Sequence, residues 1–447
     1  MTTAAPPLRP ERAPEQAPEQ AWFTEARFGL FVHFGLYSAA ARHEWVMSFE
    51  RMTVEQYARY AEVFDPDLFD ARAIARAAKD AGMRYVVLTT KHHDGFALWD
   101  SAVSDYSIAR TRGRDLVAEL AEAVREEGLR LGLYHSLLDW HHPDYVIDAD
   151  HPRRDDPDAH ALNEGRDMAR YREYLHAQVR ELLTGYGPVD YVFFDFTDTR
   201  DRRGWPGKRP EDWDAEGLLA MVRELQPQAV VNDRLGIPGD LVTPEQYQPA
   251  EPMRGDDGEL VVWEACQTLN GSWGYDRDNT KFKDPDLLVR MLVDTVSKGG
   301  NLLLNVGPDG RGAIPARDAA SLAVLGSWMR LHERAIRGAG PADPDLAAAV
   351  APGLPPGVVL TQRDDRLYLH LFAWPFGHVH LRGLADRVRY AQLLHDGSEL
   401  RTSVSDPDQK AWNTNPGGQP PGTLTLHVPT ARPDVAVPVV ELFLGEA

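Results

Sequence analysis

Cysteine is almost absent: Cys266 is the only one in 447 residues. One thiol cannot close an intrachain disulfide, nor supply the grouped thiolates of a structural zinc site. Long apolar runs are missing as well. No window reaches the roughly 18 consecutive apolar residues of a membrane-spanning helix, so no membrane partner is expected. Positive charge is scarce, with 48 Lys and Arg against 68 Asp and Glu and a formal net charge of −20. That balance argues against nucleic acid and anionic surfaces as partners and favours a neutral ligand. No G-x-G-x-x-G turn follows the first strand pattern, which counts against a dinucleotide, and no H-E-x-x-H spacing marks a zinc helix.

What is present reads as a globular protein, 43% hydrophobic and 26% charged. The opening MTTAAPPLRPERAPEQAPEQ is rich in Pro, Ala and Glu without the apolar stretch of a secretion signal. Residues 1–20 are therefore expected to be a disordered tail, and the protein to be cytoplasmic. Over residues 21–340, short β-branched runs alternate with helical periodicity. The strand patterns are FGLFVHFG (28–35), YVVLTT (85–90), RLGLYHS (130–136), DYVFFDF (190–196), AVVNDR (229–234), DLVTPEQ (240–246), VVWEACQ (261–267) and NLLLNVG (301–307). Between them, Leu116, Leu120 and Val124 share one helical face, as do Leu175, Val179, Leu182, Leu183 and Tyr186. Asp284-Pro285 caps a third helix. Eight strands with intervening helices imply an α/β fold, a (β/α)8 barrel-like catalytic domain over 21–340; an open doubly wound sheet is the alternative. Beyond it, alternating segments such as RLYLHLFAW, TLTLHVP and VPVVELFL imply a C-terminal antiparallel β-sandwich domain over 345–447.

In such a barrel the loops after the strands open into one shared pocket. The strand ends carry His33, then Lys91-His92-His93-Asp94, then Tyr134-His135-Ser136, Asp195, Asn232-Asp233-Arg234, Glu245, Glu264 and Asn305. Core packing alone would not put a polar group at every one. Some have ordinary readings: His33 as a satisfied core histidine, Glu245 as a cap after Pro244, Trp45 and Trp273 as packing. Asp195 resists this, because a carboxylate after Tyr191, Val192, Phe193 and Phe194 is costly to bury without a partner. Neighbours on an extended chain point to opposite sides, so only one of His92 and His93 is expected to face the pocket directly. Metal binding needs three or four converging ligands, and no metal or other cofactor is expected. Two carboxylates on neighbouring strand ends, among aromatics and histidines, form the constellation of a glycosidase.

The motifs then resemble those of the α-L-fucosidases. The matching pieces include WFTEARFGLFVHFGLYS (22–38), HEWVMSF (43–49), YVVLTTKHHDGFALWDS (85–101), VVNDRLG (230–236), TPEQYQP (243–249), WEACQTLNGSWGY (263–275) and SKGGNLLLNVGPDGRGAIP (297–315). The resemblance implies an exo-acting retaining α-L-fucosidase with a covalent fucosyl-enzyme intermediate. It implies Asp195 as nucleophile and Glu245 as acid/base, with Glu264 as competitor for the second role or as an orienting group. His92 and His93 become ligands of fucose hydroxyls, and His33, Glu44, Trp45, Tyr134, Arg234 and Trp273 line the same pocket. The implied partner is a fucosylated oligosaccharide or glycoside; a homo-oligomer is compatible with the sequence. Phe34 and Phe193 depart from tryptophans frequent in relatives, and loops 141–165 and 197–213 match no pattern. A catalytically silent fucose-binding protein and a metal-dependent barrel hydrolase are the competing readings.

Overall fold

The computed structural model describes residues 20–404 and 419–445. Residues 1–19 of the expected tail lie outside the described residues. Gln20 is buried and donates its amide to Ala229 O at 3.0 Å.

Seven parallel strands form the main sheet: β1 (Phe28–Val32), β2 (Tyr85–Lys91), β3 (Arg130–Ser136), β4 (Tyr191–Asp195), β5 (Val230–Val231), β6 (Glu264–Thr268) and β7 (Asn301–Val306). Their order is β5-β4-β3-β2-β1-β7-β6. The gap between β5 and β6 is bridged by residues 240–246. Leu241 pairs with Asn232 on one side, while Val242 and Glu245 pair in parallel with Trp263 and Cys266 on the other. The ring therefore closes, as the eight strand patterns imply. This sixth member pairs only through isolated bridges. Pro244 has no N–H to give to a ladder, which breaks the pairing at that point.

Helices pack outside the ring where the sequence periodicity places them. Leu116–Glu126 is capped by Asp115, which accepts from Ala118 N at 2.8 Å, and it buries Leu116, Leu120 and Val124. Among the described residues no helix lies between β5 and β6, so this side of the barrel is built from loops. None of the described helices is long and apolar enough to cross a membrane.

Inward-facing residues alternate along each strand and fill the barrel. Phe31, Tyr85, Val87, Tyr134, Tyr191, Phe193, Cys266 and Leu303 form one buried cluster, closed below by Phe23 from the helix Trp22–Ala26. Gly29 is needed for this filling, since a Cβ there would stand 2.3 Å from the Tyr85 ring. The chain then changes to antiparallel pairing. Strands β8 (Val358–Arg363), β9 (Arg366–Leu371), β11 (Val388–Leu393) and β14 (Val439–Leu444) form one sheet; β10 (His378–Leu381), β12 (Thr402–Val404) and β13 (Leu424–His427) form another. Leu369, Leu381, Leu426 and Leu442 meet in the core between them.

Candidate active site

The KHHDGF string sends its polar side chains in different directions. Lys91 Nζ donates to Asp139 Oδ2 at 3.1 Å, both groups fully buried, and Asp94 accepts from the Tyr57 hydroxyl at 2.8 Å. These two hold the turn together. His92 and His93 both line one pocket, their ring centroids 4.0 Å apart. The expectation that only one would face it is corrected. The β2–β3 register shifts between Thr89 and Lys91 and the strand ends there, so strict alternation no longer governs the pair.

That pocket, about 100 Å³, opens at the C-terminal ends of the strands. It gathers Asp195, Glu245, His33, Trp45, His92, His93, Tyr134, Arg234 and Trp273, together with Phe31, Phe193, Phe196 and Cys266. Arg234 organises the acids. Its Nη1 donates to Asp195 Oδ1 at 2.9 Å and to Glu245 Oε2 at 2.7 Å. Those two oxygens thus lie no farther apart than the two bonds laid end to end, about 5.6 Å. Thr243 fixes the guanidinium by accepting from Nε at 3.0 Å, and the cation lies over the Phe193 ring at 5.2 Å. Burial works against the charge of Arg234, yet Glu245, with Cys266 and Asp195, holds its pKa well above the ordinary arginine value. The other Asp195 oxygen accepts from the Tyr134 hydroxyl at 2.8 Å. Asp195 has a side chain only 13% exposed, whereas Glu245 is 41% exposed and faces the opening. The residue after each acid, Phe196 (φ 88°) and Gln246 (φ 59°), adopts left-handed backbone, a strain that collects at functional positions.

The hydrogen-bond network sets the histidine tautomers. Asn305 Nδ2 donates to Trp273 O at 2.7 Å, so its Oδ1, 2.6 Å from His33 Nδ1, must accept. His33 therefore carries its proton on Nδ1 and leaves Nε2 as a bare acceptor. Ser136 Oγ donates to Leu138 O at 2.8 Å and takes the Nδ1 proton of His93 at 2.7 Å, which leaves His93 Nε2 bare as well. Burial pushes both rings down to about 3, and both are neutral. His92 is also neutral through burial, and its buried Nδ1 meets no polar partner. An Nε2–H tautomer keeps the donor of this ring off the apolar side. The pocket thus offers neutral acceptors and a donor, which suits hydroxyls.

Two expected residues stand outside the lining. Glu44 lies behind it, accepting from the backbone of Trp273 at 3.1 Å and of Gly274 at 2.9 Å. Burial pushes its carboxyl up to about 8. With Asn305 it pins the Trp273 loop, whose indole packs against His33 at 5.1 Å. Glu264 is displaced further. It begins β6 instead of ending it, so it sits on the barrel floor beneath Cys266. There it accepts from the hydroxyls of Tyr85 and Tyr191. A position read as a strand end is corrected to a strand start, because the continuous ladder with β7 begins only at Glu264, opposite Asn301.

Phe31, Phe196 and Cys266 complete the lining without a place among the residues that the sequence points to. The period-2 rule could have found two of them, since Phe31 precedes His33 and Cys266 follows Glu264 on the inward face.

The sequence model of the family "Alpha-L-fucosidase" matches residues 5–334. The chain belongs to the α-L-fucosidase family. Tissue α-L-fucosidase of Rattus norvegicus is 32% identical over 435 residues, 91% of this chain and 87% of that relative. Among solved structures, α-L-fucosidase isoenzyme 1 from Paenibacillus thiaminolyticus matches with a TM-score of 0.86 at 42% identity, covering 96% of this chain and 99% of that one. A GH29 α-L-fucosidase from Bacteroides thetaiotaomicron matches with a TM-score of 0.79 at 25% identity, covering 99% and 100%. That enzyme was trapped as a covalent intermediate with 2-fluoro-fucosyl fluoride. As a member of this family the chain is a glycoside hydrolase, an α-L-fucosidase.

Proposed function

We propose that Asp195 is the nucleophile and Glu245 the acid/base in the release of terminal α-L-fucose. The observation that carries this is the shared Nη1 of Arg234. Retaining enzymes hold their two carboxyls about 5–5.5 Å apart and inverting ones about 6.5–9.5 Å. The ceiling of about 5.6 Å between the nearest oxygens favours the first.

In the first step Asp195 attacks the anomeric carbon, and Glu245, nearer the opening, gives a proton to the departing oxygen. Esterification removes the charge of Asp195 just as Glu245 acquires one. Arg234 touches both, so one cation serves whichever carboxylate is charged and the net charge of the trio stays constant. Tyr134 orients the attacking carboxylate and keeps its second oxygen bonded. In the second step Glu245 takes a proton from water, which opens the ester and releases α-L-fucose. His33 and His93 accept hydrogen bonds from sugar hydroxyls and His92 donates one, while Trp45 and Trp273 offer flat apolar surface to the ring and its methyl group. Neutral histidines and aromatic rings in the lining suit a neutral, fucosylated oligosaccharide or glycoside as substrate. Following the hydrolysis of an aryl α-L-fucoside by proton NMR tests the assignment. α-L-Fucose should form first and mutarotate later; β-fucose as first product would overturn it.

A further inference from the structure

Glu245 stands on a part of the ring that has no continuous ladder. The tract 240–246 pairs with its neighbours only through isolated bridges, and the Glu245 side chain is 41% exposed. Its ion pair with Arg234, at 2.7 Å, depends on charge. A general acid gives its proton from the neutral form, in which a cation no longer grips the carboxyl by charge. An uncharged support must then keep the group within about half an ångström of the productive geometry.

The next residue supplies one. Gln246 adopts left-handed backbone, with φ 59°, a conformation uncommon for a residue that carries a Cβ. Its amide reaches the end of β6. Nε2 donates to Thr268 Oγ1 at 2.9 Å, and Thr268 Oγ1 donates back to Oε1 at 3.2 Å. The same hydroxyl accepts from Gly271 N at 2.7 Å, at the start of the loop that carries Trp273. Backbone bonds bracket the turn on both sides of Glu245. Cys266 N donates to Pro244 O at 3.1 Å, and Gln246 N donates to Cys266 O at 3.0 Å. Farther along, Gln248 Oε1 accepts from Thr295 Oγ1 at 2.9 Å, on the helix Pro285–Ser297. All of these partners are neutral, so the scaffold stays the same whether Glu245 is protonated or ionised.

We infer that Gln246 is a positioning residue for proton transfer: its amide, clasped to Thr268, holds Glu245 in place while that acid is protonated. The inference rests on the assignment of Glu245 as acid/base in the preceding section. A clasp that only closed the barrel would affect stability, with no dependence on the leaving group.

The test compares kcat/KM of the full chain and its variants on two substrates. One is an alkyl α-L-fucoside, whose leaving oxygen needs a proton; the other is a chloronitrophenyl α-L-fucoside, whose leaving oxygen does not. Gln246→Gly is the first variant, because glycine accepts the left-handed turn and only the amide is lost. It should lose about tenfold more on the alkyl substrate than on the aryl one, with the inhibition constant of fucose unchanged. Thr268→Val should repeat that pattern, and Thr268→Ser, which keeps the hydroxyl, should not. The double variant should discriminate about as much as either Gln246→Gly or Thr268→Val alone, since both remove one contact. Equal losses on the two substrates, or no loss in Gln246→Gly, would overturn the inference. Glu245→Ala, measured beside them, keeps the two readings apart. If it discriminates between the substrates and Gln246→Gly does not, only this inference fails. If Glu245→Ala itself does not discriminate, the acid/base assignment falls, and the inference with it, whatever Gln246→Gly shows.

Discussion

Asn305 Oδ1 lies 2.6 Å from His33 Nδ1 and decides which nitrogen of that ring accepts a hydrogen bond. The same amide donates to Trp273 O, so one side chain sets both the tautomer of a histidine and the place of an aromatic wall. Asn305→Ala removes both supports. KM for an aryl fucoside and the inhibition constant of fucose should each rise about tenfold, the value of one or two hydrogen bonds, with a smaller fall in kcat. A fall in kcat with KM unchanged would place Asn305 in the transition state instead.

Tyr134 donates to the carboxylate that attacks. Tyr134→Phe leaves the ring stacked on Phe193 but removes the 2.8 Å bond to Asp195. Loss of a charge-assisted hydrogen bond, about 1.5–3 kcal/mol, should lower kcat by about tenfold to a hundredfold with the fold intact. Circular dichroism and steady-state kinetics on one preparation check this. Unaltered kcat would mean that the contact is dispensable for attack.

Azide separates the two glutamates. Removing the acid/base cripples substrates with poor leaving groups far more than activated aryl fucosides, and azide then captures the intermediate as β-fucosyl azide. Glu245→Ala should show both effects. Glu264→Ala should show neither, because its carboxyl lies on the barrel floor between Tyr85 and Tyr191. Rescue in the second variant alone would transfer the role.

Glu264 should nonetheless reveal itself in stability. Burial lifts its carboxyl from 4.5 to about 7 in the folded chain. A raised folded value means that the protonated group favours folding fully below about 4.5, and that this contribution disappears as pH climbs through about 7. Glu264→Gln cannot titrate. Its melting temperature relative to wild type should therefore improve between about pH 5 and about pH 8. Parallel melting curves across that range would contradict the buried acid.

Much of this was legible beforehand because strands and their ends follow short periodicities. The runs before His33, Asp195 and Asn305 are unbroken apolar stretches buried on both faces, and each polar residue arrives at the strand end that its run marks. The reading failed where the backbone leaves its ladder. His92 and His93 follow a register shift, so alternation could not say that both rings enter the pocket. Glu264 differs from its expected place because Val261, Val262 and Trp263 carry a strand-like pattern but precede β6. The part played by Arg234 was the least visible. Its place between two acids depends on the chain closing a ring between β5 and β6, a contact that no local pattern encodes.

The central claim is that Asp195 forms the covalent bond to fucose, and trapping it tests this most directly. The chain would be incubated with 2-fluoro-fucosyl fluoride, digested, and mapped by tandem mass spectrometry. Fluorine at C2 slows release of the ester more than it prevents its formation when the leaving group is good. The account predicts one fluorofucosyl adduct, on the carboxyl of Asp195, absent from Asp195→Asn and long-lived in Glu245→Ala. An adduct on Glu245, Glu264 or Glu44, or turnover of the reagent with no adduct while Asp195→Asn keeps more than about a tenth of the activity, would contradict it.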